Sequence, residues 1–212
     1  MSSSAPLDNV LRDARIFRAG ERARTGKGVP TGYRAFDRQL ATAGWPRASL
    51  TELLVDAPGA GELKLLMPTL SGLTRPRRDG THRWVMWIAP PHIPYAPALK
   101  DAGIDLDRVM IVHANDRMDV LWAAEQSLRS GNCAAVLLWV RQAPIKAMRR
   151  LQLAAAEGDS LGFVFRPTAC ADEPSPATLR LMLTRDGETR QLHILKNRGG
   201  RPTALDADFL TP

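Results

Sequence analysis

Leu50 to Leu63 reads LTELLVDAPGAGEL. Its first half, Leu50–Val55, is a short apolar run of strand length. Its second half sets Pro58, Gly59 and Gly61 between two acids, Asp56 and Glu62, a composition that ends regular structure. Beyond it, Gly61–Leu73 spaces its apolar residues as a helix does, and Pro68 is expected to bend or interrupt that helix. A strand, a glycine-rich turn and a helix in this order open a parallel α/β layer.

The alternation continues toward the carboxyl end. Trp84–Ala89 reads as a strand stopped by Pro90 and Pro91. Tyr95–Ala102 reads as a short helix closed by Gly103. Val109–His113 is a third strand. Asp116 is placed to cap a helix over 117–130, with Asp119 where a capping-box acid would stand and Met118, Leu121, Ala124 and Leu128 as its inward stripe. Gly131 closes that helix. Ala134–Val140 is apolar throughout, as a strand buried on both faces should be. Pro144 opens a helix ending near Gly158, with Ile145, Met148 and Leu151 on its buried side. Leu161–Phe165 is a fifth strand. A proline-rich loop spans 167–176. Leu179–Leu183 and Gln191–Leu195 read as an antiparallel pair around Asp186 and Gly187. The expected fold is α/β: a mostly parallel, RecA-like sheet flanked by helices, with a C-terminal antiparallel hairpin on one edge and an N-terminal helix.

Three segments are expected. Residues 1–27 hold an amphipathic helix and a linker; Leu7, Val10, Leu11, Ala14 and Phe17 form its apolar face. That face either packs on its own domain or docks on a second chain. Residues 28–202 form the core, and 203–212 a tail. The 212 residues are 44% hydrophobic and 24% charged, which provides a core and argues against general disorder. Ser2–Ser4 with no apolar run behind them do not read as a signal peptide, and no run approaches the roughly 20 apolar residues of a membrane span. With two isolated cysteines, Cys133 and Cys170, a reducing cytoplasm is the expected location. Cys133 is expected to be inert in its strand, and Cys170 to sit in a loop.

An open α/β sheet places ligands at the carboxyl ends of its strands, so a phosphate loop would follow Val55. Such a loop needs GxxxxGK[ST]: glycines whose amides wrap phosphates, a lysine for their charge and a hydroxyl for Mg²⁺. Of Asp56, Pro58, Gly59, Gly61 and Glu62, only Gly61 fits. Asp56 stands at the first glycine, Glu62 at the lysine and Leu63 at the hydroxyl. Lys64 comes two residues late and is expected to point away. The loop reads either as a degenerate phosphate loop or as a plain strand-to-helix turn. Both readings exclude ATP hydrolysis, so no enzyme activity and no cofactor are expected. His82, His92, His113 and His193 are scattered and fit no catalytic or metal motif.

PTGYRAFDRQLATAGWPRASLTELL (Pro30–Leu54) resembles the RecA stretch before its phosphate loop, and WIAPPHIPYAPALKDAGIDLDRVMIV (Trp87–Val112) the stretch bearing the RecA catalytic glutamate. That glutamate position falls at or beside Pro91. SLRSGNCAAVLLWV (Ser127–Val140) resembles the RecA Walker B strand, with the acid position near Trp139, and LHILKNRGGRP (Leu192–Pro202) resembles a RecA strand end. Within this group the chain is similar to the ImuA family. SulA, a cell-division inhibitor, is its sibling and shares RSGN, GFVFRP and WIAPP. The ImuA resemblance implies a non-catalytic adaptor in SOS-induced translesion synthesis and DNA repair. Its implied partners are an ImuB-like Y-family protein, a replicative-type polymerase and RecA, with association to the nucleoid on DNA damage. The rival implication is an inhibitor of FtsZ assembly.

The net charge of +7 favours an anionic partner. Three basic clusters are candidates: Arg75, Arg77, Arg78, His82 and Arg83; Lys146, Arg149 and Arg150; and Lys196, Arg198 and Arg201. Each reads as a contact to DNA or an acidic partner, or as solvated charge. Trp84, Trp87, Trp122 and Trp139 are expected in the core, and Trp45, between Gly44 and Pro46, on the surface.

Overall fold

The structure, a computed structural model, describes residues 27–76, 81–114, 116–186 and 189–207. The apolar stripe Leu7, Val10, Leu11, Ala14 and Phe17 lies outside them, as do Arg77, Arg78 and Gly187.

The elements run α1 (Arg34–Asp37), β1 (Ser49–Val55), α2 (Glu62–Thr74), β2 (Trp84–Ile88), α3 (Ala96–Asp101), β3 (Val109–Val112), α4 (Arg117–Arg129), β4 (Cys133–Trp139), α5 (Ile145–Glu157), β5 (Leu161–Pro167), β6 (Leu179–Asp186), β7 (Thr189–Asn197) and β8 (Thr203–Asp206). They form one eight-stranded sheet in the order β3-β2-β4-β5-β1-β6-β7-β8. Every pair from β3 to β6 is parallel, and β6-β7-β8 is antiparallel. The parallel sheet and the terminal hairpin thus follow the sequence reading. β8 was not expected: residues read as a tail add a third antiparallel strand, and Ala207 behind it is fully buried.

Two apolar cores cover the sheet. On one face α1, α2 and α3 bring Phe36, Leu65, Leu66, Leu70 and Leu99 onto Leu53, Phe163 and Leu181. On the other, α4 and α5 bring Leu121, Leu128, Met148 and Leu151 onto Leu50, Val136 and Val164. All seven residues of β1 are buried, as a central strand between two helical layers requires. Asp116 caps α4, accepting from the Met118 and Asp119 amides. Gly103 and Gly131 take positive φ where their helices end.

α2 runs through Pro68 without ending. Proline removes the amide that would bond to the carbonyl four residues back, that of Lys64. The Tyr33 hydroxyl donates to this carbonyl instead, at 2.9 Å. Gly32, at φ +92°, lets the preceding loop lie on the proline ring; a β-carbon there would sit 2.3 Å from Pro68 Cβ.

Burial differs from expectation at four residues, Trp45, Met118, Trp122 and Ile145. Trp45 is fully buried, edge-on to Phe36 and Phe163, and its Nε1 donates to Thr69 Oγ1 at 2.8 Å. Its flanking Gly44 and Pro46 suggest a surface turn, but the loop folds back over the α1–α2 core. Trp122 and Met118 are 62% and 65% exposed, because α4 buries Val120, Leu121, Ala124 and Leu128 instead. Ile145 is exposed at the open end of α5. Cys170 is buried in a 3-10 turn, and burial raises its thiol pKa.

Candidate functional site

β1, β2, β4 and β5 are parallel neighbours, so their carboxyl ends meet along one edge. There the loops after them enclose two adjoining clefts of about 320 Å³ and 290 Å³ that share Pro58, Pro91 and Trp139. Trp139, the last residue of β4, stacks on Phe165 of β5 at 4.5 Å between centroids and leans on Trp87 of β2 at 5.5 Å. Its ring forms the shared wall. The second cleft is roofed by Pro90–Tyr95, where Ile93 is 83% and Tyr95 72% exposed. Lys64 lines this cleft as well, against the expectation that it turns away.

The glycine-rich turn forms the clefts' floor. Gly59 and Gly61 adopt φ of +90° and +109°, which turns their amides inward. Both amides are taken. Glu62 Oε1 accepts from Gly59 N at 2.9 Å and Oε2 from Gly61 N at 3.0 Å, and Glu62 is 2% exposed. The carboxylate therefore fills the hollow of the turn and satisfies both amides from within the chain. Asp56 faces outward and hydrogen-bonds the Thr168 hydroxyl. Pro58 lines both clefts.

Behind the clefts lies a buried ionic cluster that sequence reasoning missed. Glu52, in the middle of β1, is fully buried. Arg166 Nη1 donates to its Oε1 at 2.9 Å, and Arg180 Nε to its Oε2 at 2.7 Å. Arg166 also pairs with Glu173 at 2.7 Å, while Arg180 donates to the Cys170 and Ala171 carbonyls. Burial opposes the Arg166 charge, but its bonds to Glu173 and Glu52 outweigh this and raise its pKa. The cluster ties β1, β5 and β6 to the turn at 168–173. A charge inside the apolar run LTELLV was the available signal, because a central strand carries a carboxylate only with a partner.

The three basic clusters fall on separate elements. Arg83 is structural: its Nη2 donates to the carbonyls of Cys133, Gly158 and Asp159 at 2.7–2.9 Å. On α5, Lys146 and Arg149 are exposed, whereas Arg150 is bound to Glu125 of α4. Lys196 Nζ donates to the Ser175 carbonyl at 2.9 Å, and burial lowers its pKa, aided by the Arg180 and Arg198 charges. Arg198 and Arg201 are exposed in the turn from β7 to β8. Among the described residues, no group of three or more His, Cys, Asp or Glu side chains is placed to hold a metal ion. No described helix is long and apolar enough to cross a membrane.

Fold and site together define a mixed α/β protein with a mostly parallel sheet and an apolar, carboxylate-floored cleft at its carboxyl edge. Residues 50–162, just over half of the chain, match the family described as "Cell division inhibitor SulA". The chain belongs to the SulA family. It is 32% identical over 118 residues to Cell division inhibitor SulA of Photorhabdus laumondii subsp. laumondii, covering 55% of this chain and 63% of the relative. The Pectobacterium atrosepticum protein of the same description is 29% identical over 141 residues, covering 66% and 78%. The match thus spans less than two thirds of the first of these relatives. A crystal structure of SulA from Pseudomonas aeruginosa is similar at 27% identity, covering 55% of this chain and 97% of that one, with a TM-score of 0.45.

These findings correct the resemblance drawn from sequence. The family is SulA rather than ImuA, which removes the translesion-synthesis and DNA-repair reading. The ImuB-like protein, the replicative-type polymerase and RecA are withdrawn as partners with it. RSGN and WIAPP lie within the stretch that both families share and could not discriminate. LTELL, IAPPHIPYAPAL and LWAAEQSLRSGNCAAVL, the stretches likened to ImuA, lie inside the matched residues 50–162 as well, and only HILKNRGG with the following Arg201 and Pro202 lies outside them. The structure gives that segment an ordinary role: Lys196 and Asn197 end β7, and Gly199–Gly200 turn the chain into β8.

Proposed function

We propose that this chain is an SOS-induced inhibitor of cell division that acts in the cytoplasm by contact, stopping a filament-forming GTPase of the FtsZ type from assembling. Membership of the SulA family supports this reading, as does the shared description of its curated relatives. At the level of residues it is carried by one observation: Ile93 and Tyr95 stand uncovered above an apolar cleft walled by Trp87, Trp139 and four prolines. A rigid apolar surface of this kind fits a protein partner better than a small polar substrate. Inhibition by contact needs no catalytic step. Asp56–Glu62 is read accordingly as a degenerate phosphate loop on a RecA-like sheet, with its amides satisfied from within.

Overproduction of the full chain should leave cells as long undivided filaments, and the purified protein should block GTP-driven FtsZ assembly. The double variant Ile93→Asp, Tyr95→Asp should restore division while the protein still accumulates folded. Normal division in cells that accumulate the folded wild-type chain would end this reading.

A further inference from the structure

The outer surface of the α4–α5 pair belongs to neither the cleft nor the buried charge cluster. Two sets of ions clamp these helices side by side. Arg129 of α4 bonds Glu157 of α5 at 2.9 Å and Glu125 of its own helix at 3.0 Å, and Arg150 of α5 reaches back to Glu125. Both helices follow parallel strands and run in the same direction. One turn before the Glu125–Arg150 pair therefore lie Trp122 on α4 and Lys146 on α5. Met118 precedes Trp122 by a further turn on the same stripe, and Leu153 lies one turn past Arg150. Met118, Trp122 and Leu153 are each more than 60% exposed. Such a run of large apolar side chains over two adjacent helices is a binding feature rather than background.

On α4 Asp119 is exposed three residues before Trp122, and the excess of positive charge lies on α5. Glu125 and Glu157 are already engaged by Arg129 and Arg150, whereas Lys146 and Arg149 have no ion pair or hydrogen bond among the described residues. We propose that the groove between α4 and α5 docks an acidic amphipathic helix of a partner protein. Leucine-like side chains would pack on Met118, Trp122 and Leu153, and carboxylates would meet Lys146 and Arg149. Helices of 13 residues present about 20 Å of groove, room for three to four turns of such a partner. A phosphate backbone would use the two cations and leave Met118 and Leu153 wet, and a lone tryptophan makes no stacking ladder. A second copy of this face would add its own unpaired Lys146 and Arg149 to the interface and supply no free carboxylate from Glu125 or Glu157 to meet them. The inference stands apart from the division-inhibitor reading.

The test is fluorescence anisotropy on the full chain with three labelled probes. They are a synthetic helix with leucine at i, i+3, i+4 and i+7 and glutamate elsewhere, the same helix with lysine for glutamate, and a duplex DNA. Saturable binding of the acidic helix alone is expected. Trp122→Ala and Lys146→Glu should each weaken it about tenfold. Both side chains are exposed, so an unchanged thermal midpoint will show that the variants are folded. Binding of the basic helix as tightly as the acidic one, tighter binding of the DNA, or indifference of the acidic helix to both substitutions overturns the proposal.

Discussion

The Tyr33 hydroxyl supplies the hydrogen bond that Pro68 denies to the Lys64 carbonyl, 31 positions along the chain. Tyr33→Phe should orphan that carbonyl and destabilise the fold by about 1 kcal/mol. Pro68→Ala restores a helix amide at this place. In the Pro68→Ala background the tyrosine should therefore matter less. A double-mutant cycle followed by urea unfolding measures the coupling, and strict additivity would refute the assignment.

Glu52 holds two arginines inside the sheet, so removing it leaves the buried Arg180 without a carboxylate and Arg166 with Glu173 alone. Glu52→Ala is expected to destabilise by about 3–5 kcal/mol. Replacing Glu52, Arg166 and Arg180 together by apolar residues of similar size should be far milder, because no charge is then stranded. Chemical denaturation of the single and triple variants decides this. A triple variant worse than Glu52→Ala would mean that the cluster does more than neutralise itself.

The amides of Gly59 and Gly61 are satisfied by Glu62. Titration of Mg-ATP into the wild-type chain, followed by calorimetry, should give no binding heat. Glu62→Ala should lose about 1–3 kcal/mol of stability through the two abandoned amides. Measurable nucleotide binding by the wild type would contradict a self-filled loop.

Two groups set opposite pH limits. The hydrogen bond from Arg166 lowers the Glu173 pKa, so its contribution is complete above the ordinary glutamate value of about 4.3 and is lost as pH falls through the lowered folded value. Burial raises the Tyr33 pKa, so its contribution is complete below about 10 and is lost as pH rises through the raised folded value. Thermal melts against pH should flatten on the acid side in Glu173→Gln and on the alkaline side in Tyr33→Phe.

The two misread tryptophans offer a direct contrast. Trp45→Ala should destabilise by about 3–5 kcal/mol, since it opens a cavity beside Phe36 and Phe163 and removes the bond to Thr69. Trp122→Ala should stay within about 0.5 kcal/mol of wild type. Paired denaturation curves are sufficient to show this.

The same pair shows where sequence reading stops. Trp45 sits in a glycine–proline context that favours a turn, and Trp122 sits at a helical position one step from the buried stripe. Burial of either depends on which elements arrive from elsewhere in the chain. The candidate site divides in the same way. The acid at position 62 is visible in the sequence, and so is its poor fit to a phosphate loop. That its carboxylate turns back onto Gly59 and Gly61 follows only from the backbone conformation. The wall of Trp87, Trp139 and Phe165 was beyond sequence reading, since it joins residues of three strands that lie 26 or more positions apart in the chain.

Sequence alone determined the succession of strands and helices, the glycine turn after Val55 and the hairpin near the carboxyl end. Those depend on periodicity and turn chemistry among residues a few positions apart. The tertiary structure alone decided the strand order, the added strand β8, which tryptophans are core, and that Glu52 meets Arg166 and Arg180 more than 100 positions away. These are contacts between distant parts of the chain, set by whichever assembly buries the most apolar surface while leaving no buried charge without a partner.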